Sequence, residues 1–353
     1  MVKTYKSLDE LLCISDCSRV DKCKLITFNK LSNICKYYRY YLLNETTLIE
    51  SNGDFVYNYQ VNRYTYQLQG IEHRSFYPGC AVYTLTLLPN GNLATGCQFG
   101  NIIIWDTTSW TRFLTLTRPN QPQPTYSVII QNEYLAIGRK NGDIDIWDFK
   151  NGELKKTLYG HNDSINSILS LSNNDYEIVS GSVDSKIIIW NTIDWSVKSK
   201  ISLMTGSNVL IQLKNGTIVV FDWYKNGFLL WNPFTGLTRT ISDSDLLLGI
   251  VLLENNGDLI FATYINTLKI YDSSSLKLKQ ILVGHPMHIR SIIQLKNNDL
   301  VTTCDSFIKV WDWNTKTIRY NFAGNSGQVW NFVELPNGYL VSTGLDMKII
   351  VWK

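Results

Sequence analysis

Ile102-Ile103-Ile104-Trp105-Asp106 returns along the chain as Ile144-Asp145-Ile146-Trp147-Asp148, Ile187-Ile188-Ile189-Trp190-Asn191, Phe228-Leu229-Leu230-Trp231-Asn232, Leu268-Lys269-Ile270-Tyr271-Asp272, Ile308-Lys309-Val310-Trp311-Asp312 and Ile349-Ile350-Val351-Trp352. Subtracting neighbouring positions, the aromatics stand 42, 43, 41, 40, 40 and 41 residues apart. Upstream of each lie two turn signals. The first is of the type Pro89-Asn90-Gly91-Asn92, Lys214-Asn215-Gly216, Asn256-Gly257-Asp258 or Pro336-Asn337-Gly338, and the second of the type Asn141-Gly142, Asp184-Ser185 or Asn226-Gly227. Asn-Gly pairs accept the positive φ angles that tight hairpin turns demand. Each unit therefore reads strand, turn, strand, turn, strand, and a fourth strand follows the aromatic, as in Glu153-Leu154-Lys155-Lys156-Thr157-Leu158.

Units of just over forty residues with four short antiparallel strands are propeller blades. Seven of them predict a mainly-β, seven-bladed β-propeller over residues 63–353. The chain reaches Lys353 one residue past the seventh aromatic, so the last blade needs an outer strand from elsewhere. Residues 65–71, Thr65-Tyr66-Gln67-Leu68-Gln69-Gly70-Ile71, are expected to supply it and to close the ring without an open edge.

The third and sixth units resemble the WD40 family. Gly160-His161 with Ser180, Asp184 and Trp190-Asn191, and Gly284-His285 with Thr302, Asp305 and Trp311-Asp312, match that family's Gly-His, Ser or Thr, Asp and Trp-Asp positions. The resemblance implies a hydrogen-bonded chain His161, Ser180, Asp184, Trp190, and another of His285, Thr302, Asp305, Trp311, that ties three strands of a blade together. Such a network is structural and is stable when every member is satisfied. Elsewhere the pattern lapses: Asn325 stands for His in the last unit, and Phe99, Asn141, Lys225 and Ile265 occupy the Asp position, so these blades are expected to rest on aliphatic packing. In WD40-like propellers the top face is lined by the start of each innermost strand and the loop before it. Aligning the units on Val82, Ile165, Ile289 and Val329 brings Tyr83, His288, Arg290, Gln328 and Trp330 to that face as partner-binding candidates.

Residues 1–62 differ in kind. Cys13, Cys17, Cys23 and Cys35 are spaced C-x3-C-x5-C-x11-C. Ser7 and Glu10 have the form of a capping box, so residues 8–17 read as a short helix with Cys13 and Cys17 one turn apart. Leu25-Ile26-Thr27-Phe28 and Ile34-Cys35-Lys36-Tyr37-Tyr38 read as a hairpin. Spacing alone leaves the three disulfide pairings open, with reduced thiols and zinc as the other fates of such a cluster. A cysteine-bearing helix on a cysteine-bearing hairpin resembles the PAN/apple module, a small α+β disulfide-stabilised domain. That resemblance implies nested bridges, Cys13 with Cys35 and Cys17 with Cys23, and an opening strand lying before Met1. Cys80, Cys97 and Cys304 are left as thiols: Cys97 and Cys304 fall in the second strand of their blades and read as buried packing, and Cys80, in the loop before the first inner strand, reads as the exposed one.

Composition sets limits on function. With 44% hydrophobic residues and 18% charged ones, the chain can build a large core, and a net charge of +3 does not suggest nucleic acid as a partner. No apolar run approaches the roughly 20 residues that span a bilayer. Met1 leads into Lys, Ser and Asp residues, which is not a signal-peptide opening, whereas the cysteines and the sequons at Asn44, Asn162 and Asn215 fit the secretory pathway. Of four histidines, two belong to the blade networks, and His73 and His288 have no nucleophile or carboxylate at a catalytic spacing. No phosphate loop or HExxH motif occurs. No catalytic residue, metal ligand or cofactor site is therefore assigned. The expectation is a monomeric, non-catalytic protein-interaction platform, extracellular or lumenal, binding protein partners and, through the PAN-like module, glycan. An intracellular WD40 assembly scaffold is the alternative and a propeller enzyme the third.

Overall fold

The computed structural model describes residues 72–353 except 121, 172–175, 203–208, 222–225, 253–256 and 305–306. Before residue 72 it describes the strands Lys3–Lys6, Leu25–Asn29, Ile34–Tyr38, Ile49–Ser51 and Asp54–Tyr57. The chain divides into two compact units, Met1–Leu68 and Gln69–Lys353.

The second unit is a ring of seven antiparallel four-stranded blades: 82–116, 124–158, 165–202, 209–242, 247–283, 289–323 and, for the seventh, 329–352 with Glu72–Phe76. The repeated motif explains the ring. Side chains alternate across a strand, so in Ile102–Asp106 the residues one and three before the aromatic face the next blade, while the aromatic and the residue two before it face the preceding one. Accordingly Ile102 and Ile104 pack with Trp147, Ile144 and Ile146 with Trp190, and Ile187 and Ile189 with Trp231. The series continues with Phe228 and Leu230 on Tyr271, Leu268 and Ile270 on Trp311, Ile308 and Val310 on Trp352, and returns with Ile349 and Val351 on Trp105. Because both faces of each blade are covered, these strands are buried along most of their length and mainly apolar, whereas the outermost strands, such as Glu153–Leu158, are mostly exposed.

The closing strand is Glu72–Phe76, paired antiparallel with Ile349–Trp352 through Ile349↔Phe76, Ile350↔Ser75, Val351↔Arg74 and Trp352↔Glu72. This corrects the expectation for residues 65–71, which lie outside the described residues. The reason is loop length. The outermost strands Glu153–Leu158, Leu278–Val283 and Thr317–Ala323 end close before the next innermost strands, which begin at Ile165, Ile289 and Val329. A closing strand that ends at Phe76 reaches Val82 over a connection of the same kind, and one that ends at Ile71 does not.

Blades 4 and 5 share one strand, Thr238–Leu252, whose first part pairs with Asn226–Trp231 and whose last part pairs with Leu259–Thr263. No entry loop separates them. Gly227 is required where this strand bends: its φ is 121°, and a Cβ would lie 2.0 Å from the Ile241 carbonyl oxygen.

In the first unit five strands form one antiparallel sheet in the order Lys3–Lys6, Ile34–Tyr38, Leu25–Asn29, Asp54–Tyr57, Ile49–Ser51. The hairpin read from sequence is there, with Phe28 opposite Cys35. A strand at Lys3–Lys6 lies beside it, paired with Ile34–Tyr38. The expected helix over 8–17, with Cys13, Cys17 and Cys23, lies outside the described residues.

Candidate functional site

Antiparallel pairing places the loop entering each innermost strand and the loop between the second and third strands at one end of the ring, the upper face. Blade 3 shows how these loops are held. Trp190 Nε1 donates to Ser180 Oγ at 2.8 Å, Ser180 Oγ is 2.8 Å from His161 Nε2, and His161 Nδ1 is 3.0 Å from Asp184 Oδ1. An indole only donates and a carboxylate only accepts, so the protons run from Trp190 through Ser180 and His161 to Asp184. Burial holds His161 below the ordinary histidine value despite Asp184. Burial would raise Asp184, but the Asn162 N–H and His161 hold it below the usual carboxylate range. Gly160 is needed because a Cβ there would lie 2.8 Å from the Trp190 ring.

In blade 6 Trp311 Nε1 donates to Thr302 Oγ1 at 2.9 Å, and His285 Nε2 lies 3.0 Å from that hydroxyl. Asp305 lies outside the described residues. Burial, reinforced by Lys309, pushes His285 down to about 3.

The departing units do not all fall back on packing, which corrects the sequence reading. In blade 7 Asn325 takes the histidine's part: Trp352 Nε1 donates to Ser342 Oγ at 2.8 Å, Ser342 donates to Asn325 Oδ1 at 2.8 Å, and Asn325 Nδ2 donates to Asp346 Oδ1 at 2.7 Å. Blade 2 holds its loops with ions. Arg139, fully buried, donates through Nε to Asp145 at 2.9 Å and through Nη1 to the carbonyls of Gly100 and Pro122, and Arg118 reaches Asp145 and Asp143. In blade 5 Lys269 binds Asp243 and Asp245, and the Tyr271 hydroxyl donates to Asp243. Asp145 and Lys269 both sit two residues before the aromatic, facing the preceding blade. Only their charge in an otherwise aliphatic motif marked them in sequence.

Blade 1 has a different tie. Cys80 and Cys97 are joined by a disulfide with their Cα atoms 5.6 Å apart, and both are buried. This corrects the expectation that both were thiols and that Cys80 was exposed. The signal was in the register, since Cys97 pairs with Val82 and Cys80 precedes Val82 by two residues. Cys304 is buried at the end of its strand.

Among the upper-face candidates, Tyr83 and Trp330 meet with ring centroids 4.8 Å apart, and Asn331 Nδ2 donates to the Tyr83 carbonyl at 3.0 Å. His288 stacks on Tyr264 at 4.2 Å with Nδ1 3.1 Å from Asn266 Oδ1. The Gln328 carbonyl accepts from Leu345 N at 2.9 Å. Arg290 is exposed and makes no ion pair among the described residues. Sequence reading missed the apolar rim around them: Tyr77, Phe99, Tyr159, Ile265, Met287 and Leu345, all on upper loops and all exposed, Phe99 to 70%. Phe99 and Ile265 were legible as losses of the Asp at that loop position, but not as gains of exposed apolar surface. At the opposite end a cavity of about 470 Å³ opens between blades 7 and 1, lined by His73, Thr107, Trp110, Pro336 and Tyr339.

Among the described residues no three His, Cys, Asp or Glu gather as a metal site, and no helix is long and apolar enough to cross a membrane. The displaced titrations of His161, His285 and Tyr271 belong to buried blade ties.

The family model described as WD domain, G-beta repeat matches residues 152–191 and 276–312, the segments carrying the Trp190 and Trp311 units. The chain is 22% identical over 192 residues to Autophagy-related protein 16 of Arabidopsis thaliana, covering 54% of this chain and 38% of that one. It is 27% identical over 229 residues to Protein tipD of Dictyostelium discoideum, covering 62% and 37%. With p21-activated protein kinase-interacting protein 1-like of Xenopus laevis it shares 20% over 271 residues, 74% of each. The match thus spans well under half of the first two relatives. The chain carries WD40 repeats in a seven-bladed propeller.

Two outcomes follow from the blade ties. Val220 stands where Ser180 and Ser342 stand, and the buried Trp231 Nε1 has no hydrogen-bond partner among the described residues. Val220→Thr is isosteric and gives that indole an acceptor, so urea unfolding should show it more stable by about 1 kcal/mol, while Val219→Thr on the other face should cost about 1–3 kcal/mol. Equal destabilisation by both would count against the network.

His285 is neutral in the fold and has an ordinary value of 6.5 when unfolded. Its contribution is complete above pH 6.5 and is lost as pH falls from there toward about 3. The thermal midpoint should fall across that window. His285→Asn, with the residue that serves in blade 7, should flatten the stretch above about pH 5, before most carboxylates titrate. An unchanged slope would mean that His285 is not held neutral.

Proposed function

We propose that the chain is a non-catalytic protein-interaction platform in which the upper face of the propeller binds partners and the N-terminal cysteine module provides a second surface for protein or glycan. The observation that carries this reading is the upper face itself: exposed apolar side chains stand on the loops of five blades at the same end of the ring as Arg290, which is unpaired among the described residues. Isolated exposed apolar residues are ordinary, but a set gathered at one end of a rigid scaffold marks an interaction surface. Tyr, Trp and Arg combine large contact area with a polar handle, which suits Tyr83, Trp330 and Arg290 to the centre of such a surface, with His288 and Gln328 at its margin. The unpaired guanidinium and apolar rim favour a partner segment that is apolar and acidic.

The same reading places the protein in an extracellular or lumenal setting, where the Cys80–Cys97 bond and bridges among Cys13, Cys17, Cys23 and Cys35 would persist. The PAN/apple-like assignment of residues 1–62, with bridges Cys13 to Cys35 and Cys17 to Cys23, belongs to this proposal. The second reading, an intracellular assembly scaffold, is favoured by the likeness to a relative named for its interaction with p21-activated protein kinase. It requires the same cysteines to be reduced in the native protein.

Arg290→Ala and Trp330→Ala separate binding from packing. Both proteins should unfold at the wild-type midpoint and lose the proteins that the wild type captures from the native source. Variants that lose stability but keep those partners would move the binding surface elsewhere and assign the two residues to packing.

A further inference from the structure

The loop entering blade 1, residues 77–81, leads directly from the closing strand Glu72–Phe76 into Val82–Leu87. In blades 3, 6 and 7 the residue four before the innermost strand anchors the loop: His161, His285 and Asn325. Pro78 holds that place in blade 1 and offers no side-chain donor or acceptor. The other joint of the loop is also distinctive. In blade 3 Ser182, opposite Ile165, donates to the carbonyl of Asp163 at 2.9 Å. In blade 1 Cys97 stands in the place of Ser182 and Cys80 in that of Asp163, and a covalent bond replaces the hydrogen bond.

We propose that Cys80 and Cys97 form an oxidation-dependent clasp that secures ring closure. Two protein thiols give up two protons and two electrons to a small-molecule disulfide of the glutathione type, which leaves as two thiols, and the protein S–S bond forms by exchange. The bond pins the loop behind the closing strand to blade 1. Reduction leaves that loop with backbone contacts, the Arg112 bond to the Pro78 carbonyl and the Lys348 ammonium over the Tyr77 ring, none of them covalent, so the junction of blades 7 and 1 becomes the first part of the ring to open.

The experiment uses the full chain equilibrated in oxidised or reduced glutathione, then denatured and alkylated without further reductant. No Lys or Arg lies between Arg74 and Arg112, so the tryptic peptide 75–112 carries both cysteines. In the oxidised sample it should be unalkylated and two hydrogens lighter. Reduction should lower the thermal midpoint by about 5 °C and speed amide exchange in 72–76 and 349–352 about tenfold. The N-terminal cysteines respond to the same buffers, so Cys97→Ser isolates the clasp. With the side chain that blade 3 already uses, it should fold, exchange quickly at 72–76 in both buffers, and gain nothing there from oxidation. Two alkyl groups on peptide 75–112 after oxidation, or equal exchange at 72–76 in oxidised and reduced wild type, would overturn the proposal.

Discussion

Each blade ends its third strand with an aromatic that packs on the two aliphatic side chains displayed by the blade before it, as Trp147 packs on Ile102 and Ile104. The arrangement is directional, and around a ring it must return on itself. Trp105 of the first blade completes it by packing with Ile349 and Val351 of the last. Without closure one blade would expose an apolar face and Ile349–Trp352 would present an unpaired edge. The strand Glu72–Phe76 pairs that edge, and Phe76 adds its ring against Trp105 at 4.8 Å.

Packing fixes the blades but leaves their upper loops to be secured separately, and the chain secures them by several kinds of chemistry. A neutral histidine chain serves blade 3, an asparagine serves blade 7, buried ion pairs serve blades 2 and 5, and a disulfide serves blade 1. What they share is placement: each bridges strand ends and the adjoining loop in the interior of the ring. Where the described residues supply no acceptor, as for Trp147 Nε1 and Trp231 Nε1, a buried donor goes unsatisfied, at a cost of about 1–3 kcal/mol each. Loops secured from within can carry side chains such as Tyr77, Phe99 and Met287 outward, which is what an interaction surface requires.

Blade number, strand order and the roles of His161 and Trp190 were legible because periodicity and hairpin turns are local properties of a sequence. The closing strand was misplaced because its partner is remote and the residues from 65 to 76 carry no hairpin signal that pins register; loop length was the informative quantity. The ion networks escaped notice because Asp145 looks like one polar residue in an apolar motif until Arg118 and Arg139 are brought to it. The Cys80–Cys97 bond escaped for a similar reason: a cysteine in a loop and one in a strand look unrelated until pairing places them diagonally across a ladder. Tyr83 and Trp330 were both named from the blade alignment, but their contact joins the first and last blades, and a linear repeat does not display it.

The closed seven-bladed ring is tested most directly by crosslinking across its seam. Ser75→Cys with Ile350→Cys places two thiols on residues paired in the closing ladder. Under mild oxidation that pair should form a disulfide, identified by peptide mapping, while Gln67→Cys with Ile350→Cys should not. Crosslinking of the second pair and not the first would contradict this closure and return the outer strand of the last blade to residues 65–71.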